Sequence, residues 1–225
     1  MTASPAYIFD LDGTLVDTAP DLLAATNAVL SHAGRRPVDP EILRHMVGFG
    51  ARSLISQAFD ATGVPVPDSD LPALLDVFLT HYRENIAVGS RPFPHVPATL
   101  ARLKNAGARL AVLTNKPHDM AELLLPKMAL DTYFGAVFGA GRKPYTKPDP
   151  RLFHDTVEAL GGHGGGAIMI GDSITDVATA RAAGAPVILV SYGYTPEPAH
   201  SLGADAVTSD FSEIPALAAQ LLGRS

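Results

Sequence analysis

The chain of 225 residues contains no cysteine. That excludes a disulfide framework, a thiolate metal site and a cysteine nucleophile. Basic residues are also in short supply: 17 Lys and Arg stand against 23 Asp and Glu, for a formal net charge of −6. No basic run is longer than a pair such as Arg35-Arg36. Phosphate backbones recruit basic stripes, so no nucleic-acid partner is expected. No apolar stretch approaches the roughly 20 residues that span a bilayer, so no membrane partner is expected either. The chain does not open on a basic segment followed by an apolar one, so no signal peptide is visible. The 8 histidines fall in no HExxH pattern or other metal spacing. Internal repeats and low-complexity tracts are absent. A soluble, cytoplasmic protein is expected.

What is present is a globular composition, 47% apolar and 18% charged, with ample material for a core. The length suits one large domain, or one domain with a smaller one inserted. From about Ala98 onward, β-type and helix-type segments alternate. Helices are predicted over Ala98–Ala106, Met120–Met128, Pro150–Leu160, Val177–Ala183 and Glu213–Leu222. Strands are predicted over Arg109–Leu113, Ala136–Phe138, Ala167–Ile170 and Val187–Val190, with Ala206-Val207 at an edge. Alternation of this kind argues for a parallel sheet with helices on both faces, and uniformly apolar strands fit burial on both sides. Residues from about Pro20 to Ile86 read as helices only, over Asp21–His32, Glu41–Met46, Arg52–Thr62 and Leu71–Ile86. The expected architecture is therefore α/β: a doubly wound, Rossmann-like core over residues 1–18 and 90–225, with an all-helical cap over 19–89 inserted after the first strand. Proline-bearing joints at Thr18-Ala19-Pro20 and Ser90-Arg91-Pro92-Phe93-Pro94 are its candidate hinges, and Asp17 belongs to the first of them. The glycine-rich run Gly161–Gly166 precedes a strand, whereas phosphate-binding glycines follow one and open a helix. It reads as a flexible connector.

The apolar run Ala6-Tyr7-Ile8-Phe9 ends in Asp10-Leu11-Asp12-Gly13-Thr14, which puts two carboxylates at the mouth of a sheet. In open parallel sheets, ligands bind at the carboxyl ends of the strands. The other predicted strands lead to the same edge. One ends at Thr114-Asn115-Lys116, one is followed by Lys147-Pro148-Asp149-Pro150, and one ends at Gly171-Asp172-Ser173, with Asp176 on the helix beyond. These residue types suit phosphoryl transfer. A carboxylate can act as nucleophile and form an aspartyl-phosphate. A divalent cation offsets the repulsion between that carboxylate and the phosphate, and magnesium favours one or two carboxylates plus substrate oxygens. A lysine and a hydroxyl hold the remaining phosphoryl oxygens. A second carboxylic acid protonates the leaving oxygen and later deprotonates water. Asp176 alone also suits a first-turn helix acid favoured by the dipole.

These four segments, in this order and across essentially the whole chain, resemble the motifs of the haloacid dehalogenase superfamily of phosphatases. The resemblance implies Asp10 as nucleophile, Asp12 as general acid/base, and Thr114 and Lys147 as phosphate ligands, with Asn115 beside them. It implies Mg²⁺ held by Asp10, the backbone carbonyl of Asp12 and Asp172, with Asp176 as a further ligand or support. The helical segment matches the small cap of the superfamily's first subclass, whose closure would exclude water from the site. Within the superfamily the chain most resembles phosphoglycolate phosphatases, through Thr114-Asn115-Lys116-Pro117, Lys147-Pro148-Asp149-Pro150, Ala180-Arg181-Ala182-Ala183-Gly184, Tyr192-Gly193-Tyr194 and Gly48-Phe49-Gly50-Ala51-Arg52. His95 departs from that pattern, standing where such proteins usually have glycine. Arg52 is the candidate for a substrate carboxylate, since a forked guanidinium suits that group. Lys116 is a further candidate substrate contact.

The expected activity is Mg²⁺-dependent hydrolysis of a small phosphomonoester, 2-phosphoglycolate foremost, by a monomer or homodimer. A phosphatase for another sugar phosphate or pyrophosphate, and a β-phosphoglucomutase-like phosphoryl transfer, stay open as alternatives. A dehalogenase has no need of Asp12. A phosphonoacetaldehyde hydrolase needs a cap lysine, and the first lysine here is Lys104, after the cap. A response-regulator receiver is about half this length and has no helical insert.

Overall fold

The computed structural model describes residues 4–162 and 164–223. Strand β1 (Ala6–Phe9) leads to a two-residue strand, β2 (Val16–Asp17), then to helices α1 (Ala19–His32), α2 (Pro40–Arg44), α3 (Ala51–Thr62) and α4 (Leu71–Asn85). A second short strand, β3 (Arg91–Pro92), brings the chain back. Beyond it run α5 (Val96–Asn105), β4 (Arg109–Pro117), α6 (His118–Lys127), β5 (Ala136–Ala140), α7 (Pro150–Ala159) and β6 (Ala167–Gly171). The chain finishes with α8 (Ile174–Ala182), β7 (Val187–Val190), β8 (Ala206–Thr208) and α9 (Ile214–Leu222). The six longer strands form one parallel sheet in the order β5-β4-β1-β6-β7-β8, with β1 central.

The sheet is apolar on both faces because successive strand residues alternate sides. Tyr7, Phe9, Leu110, Val112, Ile168 and Ile170 belong to one buried cluster, and Ala6, Ile8, Ala111, Leu113, Ala167 and Met169 to the other. The first cluster continues without a break into Leu22, Leu54, Phe78 and Tyr82 of the helices between β2 and β3. Those helices pack largely on one another, α4 against α1 and α3. Among the described residues, no helix is long and apolar enough to cross a membrane.

Three local features depart from the sequence reading. First, β4 does not stop at Leu113 but runs to Pro117, with a register shift against β5 between those two residues. Thr114 and Lys116, two apart in the extended chain, are both buried and face the same side. Second, β2 and β3 pair antiparallel, Val16 with Pro92 and Asp17 with Arg91, a ribbon too short for any periodic signal. It lies at the joints expected to act as hinges. Third, the glycine-rich connector is tethered: the Arg109 guanidinium donates to the carbonyl oxygens of Leu160, Gly162 and Gly164. His163, within that run, lies outside the described residues.

Candidate active site

Three carboxylates meet at the carboxyl ends of β1 and β6. One oxygen from each of Asp10, Asp172 and Asp176 lies within 4.8 Å of the other two, and all three residues are buried. Asp10 follows β1 directly, and Asp172 follows β6. Asp176 sits in the first turn of α8, where it and Ser173 form a capping box. Its Oδ2 accepts from the Ser173 hydroxyl (2.8 Å) and from the backbone N–H groups of Ser173 (3.1 Å) and Asp172 (3.2 Å). Its Oδ1 accepts from Lys147 Nζ at 2.6 Å. The helix-cap and charged-site readings of Asp176 are thus both met, one by each oxygen.

Lys147, itself buried, also stands 3.0 Å from Asp10 Oδ1. Burial by itself would lower its pKa, but the charges of Asp10 and Asp176 outweigh that and raise it, so the ammonium stays charged. One cation therefore stands beside a cluster of three buried carboxylates and pairs with two of them. The imbalance shows in their titration. Burial, reinforced by Asp176 and Asp12 and opposed by Lys147, pushes Asp10 up to about 6. Burial and the charges of Asp176 and Asp10 raise Asp172 well above the usual carboxylate range. No hydrogen bond of good geometry reaches Asp10 Oδ1. An under-compensated, oxygen-only donor set with an unsatisfied carboxylate oxygen fits a hard cation.

Asp172 is positioned from two sides. Its Oδ1 accepts from the Thr14 hydroxyl (3.1 Å) and its Oδ2 from the Tyr194 N–H (2.8 Å). Gly13 and Gly193 let these backbones approach. A Cβ on Gly13, whose φ is +84°, would lie 2.5 Å from Asp172 Oδ2, and one on Gly193 would overlap Asp172 Cβ.

Asp12, two residues beyond Asp10, is held by a second set of partners. Its Oδ1 accepts from the Thr18 hydroxyl (2.7 Å) and from Lys116 Nζ (2.9 Å), and its Oδ2 lies 3.3 Å from the same ammonium. Lys116 also donates to the Tyr82 hydroxyl of α4 at 2.6 Å. Burial alone would depress Lys116, but Asp12 and the Tyr82 oxygen raise it, so it too stays charged. Burial pushes the Tyr82 phenol up to about 12, so it remains protonated.

Asp10, Asp12, Thr114, Asn115 and Lys116 line an inner cavity of about 40 Å³, roofed by Leu22, Leu54, Phe78 and Tyr82. That is room for roughly three or four waters. A second, open cleft of about 510 Å³ adjoins it past Gly50, Ala51 and Leu79, between exposed Phe49 and Ile174.

Of the residues singled out in the sequence, the fold thus brings together Asp10, Asp12, Thr114, Asn115, Lys116, Lys147, Asp172 and Asp176. It does not bring Arg52 to the inner cavity. Arg52 lines the outer cleft, its side chain 58% exposed and 3.7 Å from Asp68. The arginine stands in the first turn of α3 and pairs there with the exposed Asp68.

Sequence reasoning overlooked three positions. Tyr82 looked like one more apolar residue of a helix. Tyr194 belongs to the Tyr192-Gly193-Tyr194 segment, whose residue types alone assign it no partner. Its hydroxyl accepts from the Thr18 (2.7 Å) and Ala19 (3.0 Å) N–H groups at the start of α1 and donates to Asp17 (2.6 Å). Buried Asp21 accepts from the Gly89 and Ser90 N–H groups and the Ser90 hydroxyl, tying α1 to the returning chain. Only the long sequence separation of these pairs hides them.

The sequence model of haloacid dehalogenase-like hydrolases matches residues 7–190, and the chain belongs to that family. It is 47% identical to the phosphoglycolate phosphatase of Caulobacter vibrioides, over 95% of this chain and 90% of the relative. It is 35% identical to the N-acetylmuramic acid 6-phosphate phosphatase of Pseudomonas aeruginosa, over 93% and 92% of the two chains. The solved structure of a predicted phosphoglycolate phosphatase from Haemophilus somnus 129pt is similar, with a TM-score of 0.90 at 30% identity, covering 97% of this chain and 99% of that one.

Proposed function

We propose that the protein is a Mg²⁺-dependent phosphoric monoester hydrolase that converts 2-phosphoglycolate to glycolate and phosphate. The observation that carries this is the convergence of Asp10, Asp12, Thr114 and Lys116 on the wall of one buried cavity, with Lys147, Asp172 and Asp176 gathered around Asp10. The similarity to phosphoglycolate phosphatases over nearly the full chain supports the same substrate.

Asp10 is the nucleophile. One of its oxygens bonds to phosphorus as the bond from phosphorus to the glycolate oxygen breaks, giving an aspartyl-phosphate. Asp12 gives its proton to the departing oxygen. It then takes one from the water that attacks the phosphoryl group, releasing phosphate and restoring Asp10. The Lys116 and Thr18 contacts fix the Asp12 rotamer for both transfers. Thr114 and Lys147 hold phosphoryl oxygens, and Asn115 steadies the cavity wall through its bonds to the Gly48 (3.2 Å) and Lys147 (3.3 Å) carbonyls. Asp10, Asp172 and the Asp12 carbonyl are the residues suited to hold Mg²⁺, with Asp176 at the margin because Lys147 and the cap occupy it. When bound, the ion supplies positive charge against the carboxylate and phosphate oxygens. Residues 19–89 act as a cap over a core of 1–18 and 90–225, moving on the β2–β3 ribbon and shedding water from the site when closed. The same reading makes the enzyme cytoplasmic and a monomer or homodimer, which cell fractionation and light scattering test.

The test is Mg²⁺-dependent phosphate release from 2-phosphoglycolate beside glucose 6-phosphate, N-acetylmuramic acid 6-phosphate and pyrophosphate. The expected kcat/KM for 2-phosphoglycolate is at least about tenfold above the rest, or ~1.4 kcal/mol of transition-state preference. Asp10→Asn abolishes turnover of all of them. A flat profile, or a peak on a sugar phosphate, overturns the substrate assignment.

A further inference from the structure

The inner cavity presents a buried cation, Lys116, and a hydroxyl donor, Tyr82, to which the chemistry above gives no substrate contact. Lys116 Nζ has three hydrogens. They are directed to Asp12 Oδ1 (2.9 Å), to Asp12 Oδ2 at the longer 3.3 Å, and to the Tyr82 oxygen (2.6 Å), so what Lys116 offers a further anion is its charge and an exchange of the long contact. The Tyr82 oxygen accepts from Lys116, which leaves its own hydrogen for another acceptor. Both groups are almost wholly buried, Lys116 at 5% and Tyr82 at 2% exposure. Both line the cavity, and Lys116 is the single cation among the residues that do. The surrounding walls are Leu22, Leu54, Phe78 and Leu79. An anion enters such a space only where a cation and donors await it.

Position ties these donors to a particular part of the substrate. Asp12 marks where the leaving oxygen sits. In a 2-phosphocarboxylate, the carboxyl carbon is two bonds from that oxygen, and the Lys116 ammonium lies 2.9 Å from Asp12 Oδ1, so the acid group falls on the same side of the cavity as Lys116. Arg52, the alternative cation, faces the outer cleft and is largely solvated.

We propose that Lys116 of β4 and Tyr82 of α4 form the seat for the substrate carboxylate and so select phosphorylated short acids over neutral phosphate esters. This rests on the phosphomonoesterase reading of the site. A carboxylate bound there contacts the sheet and α4 at once, so the acid group of the substrate itself holds the helical segment over the cavity.

The experiment compares kcat/KM for 2-phosphoglycolate and for ethyl phosphate, which shares the two-carbon skeleton but has no carboxylate. It uses the full-length protein with Mg²⁺, as wild type, Tyr82→Phe and Lys116→Met, each checked for an intact melting transition. A hydrogen bond to a charged group is worth about 1.5–3 kcal/mol, or roughly 10- to 150-fold. The wild-type preference for the acid is therefore expected to fall at least about tenfold in Tyr82→Phe, chiefly through KM. In Lys116→Met it falls further, towards parity. If both substrates slow by the same factor and the preference survives, Lys116 only orients Asp12 and the proposal is overturned. Where Lys116→Met does not fold, Tyr82→Phe decides alone, because it removes one oxygen and keeps the ring packed beside Phe78. The two readings fail separately. A wild type that hydrolyses neither ester removes the phosphatase reading, whereas one that prefers the acid equally in every variant removes only the carboxylate seat.

Discussion

Replacing Asp176 by asparagine keeps its shape and removes its charge, at a carboxylate on which four donors converge. The amide oxygen can still accept the three cap donors from Asp172 and Ser173. Its NH₂ then faces Lys147 Nζ, which now lies 2.6 Å from a carboxylate oxygen. Two donors cannot share that distance. Breaking a buried ion pair by removing one partner costs about 3–5 kcal/mol when the other charge is stranded. Lys147 retains Asp10 at 3.0 Å, and removing one charge relieves repulsion on Asp10 and Asp172, so the expected loss lies below that range, about 1–2 kcal/mol. With a urea m-value of about 2–3 kcal/mol/M, the unfolding midpoint should fall by roughly 0.3–1 M. Lys147→Met, which strands two carboxylates, should cost more. The double variant should recover part of that loss, with a coupling energy of about 2 kcal/mol. The assay is urea denaturation of all four proteins without metal. Losses that add within about 0.5 kcal/mol would refute the reasoning, because they would mean that Lys147 and Asp176 do not depend on each other in the native protein.

Two further outcomes follow from the same cluster. In metal-free protein, Asp10 holds its proton up to about pH 6, whereas the unfolded chain releases it near pH 4. The native state therefore binds more protons between those values, and stability falls as pH rises through that window, by at most about 3 kcal/mol. Urea unfolding at pH 4 and pH 6.5 should show this loss in wild type relative to Asp10→Asn; equal pH dependence in the two would contradict it. Gly193→Ala would drive a methyl into Asp172 Cβ. It should cost about 1–3 kcal/mol by overpacking and weaken Mg²⁺ binding about 10- to 100-fold, as loss of support for a metal ligand does. Calorimetric titration with Mg²⁺ and a thermal melt measure both, and an unchanged pair of values would show that the loop gives way freely.

His95 shows how far a local pattern can be read. It replaces a glycine expected from the resemblance, and its φ is +67°, in the left-handed region where glycine is at ease. The backbone need persisted although the residue that usually meets it did not. By contrast, the Gly161–Gly166 connector, read as flexible, is held by Arg109 from another strand. Nothing within the run could have announced that.

The sequence by itself determined the sheet and the acids. Short apolar runs bury on both faces, so each strand and the polar residues at its carboxyl end are legible within a few neighbours. The order of Asp10, Thr114, Lys147 and Asp172 then follows from strands that all point one way. Only the tertiary structure decided how these charges divide: Lys147 to Asp10 and Asp176, Lys116 to Asp12 and Tyr82, and Arg52 to solvent. A lysine's partner depends on which helix end or strand lies within about 3 Å of its ammonium. That distance is set by packing between segments as far apart as 104 positions, the separation of Lys116 and Asp12. Periodicity records which face a residue takes; it carries no record of what the facing element brings to meet it.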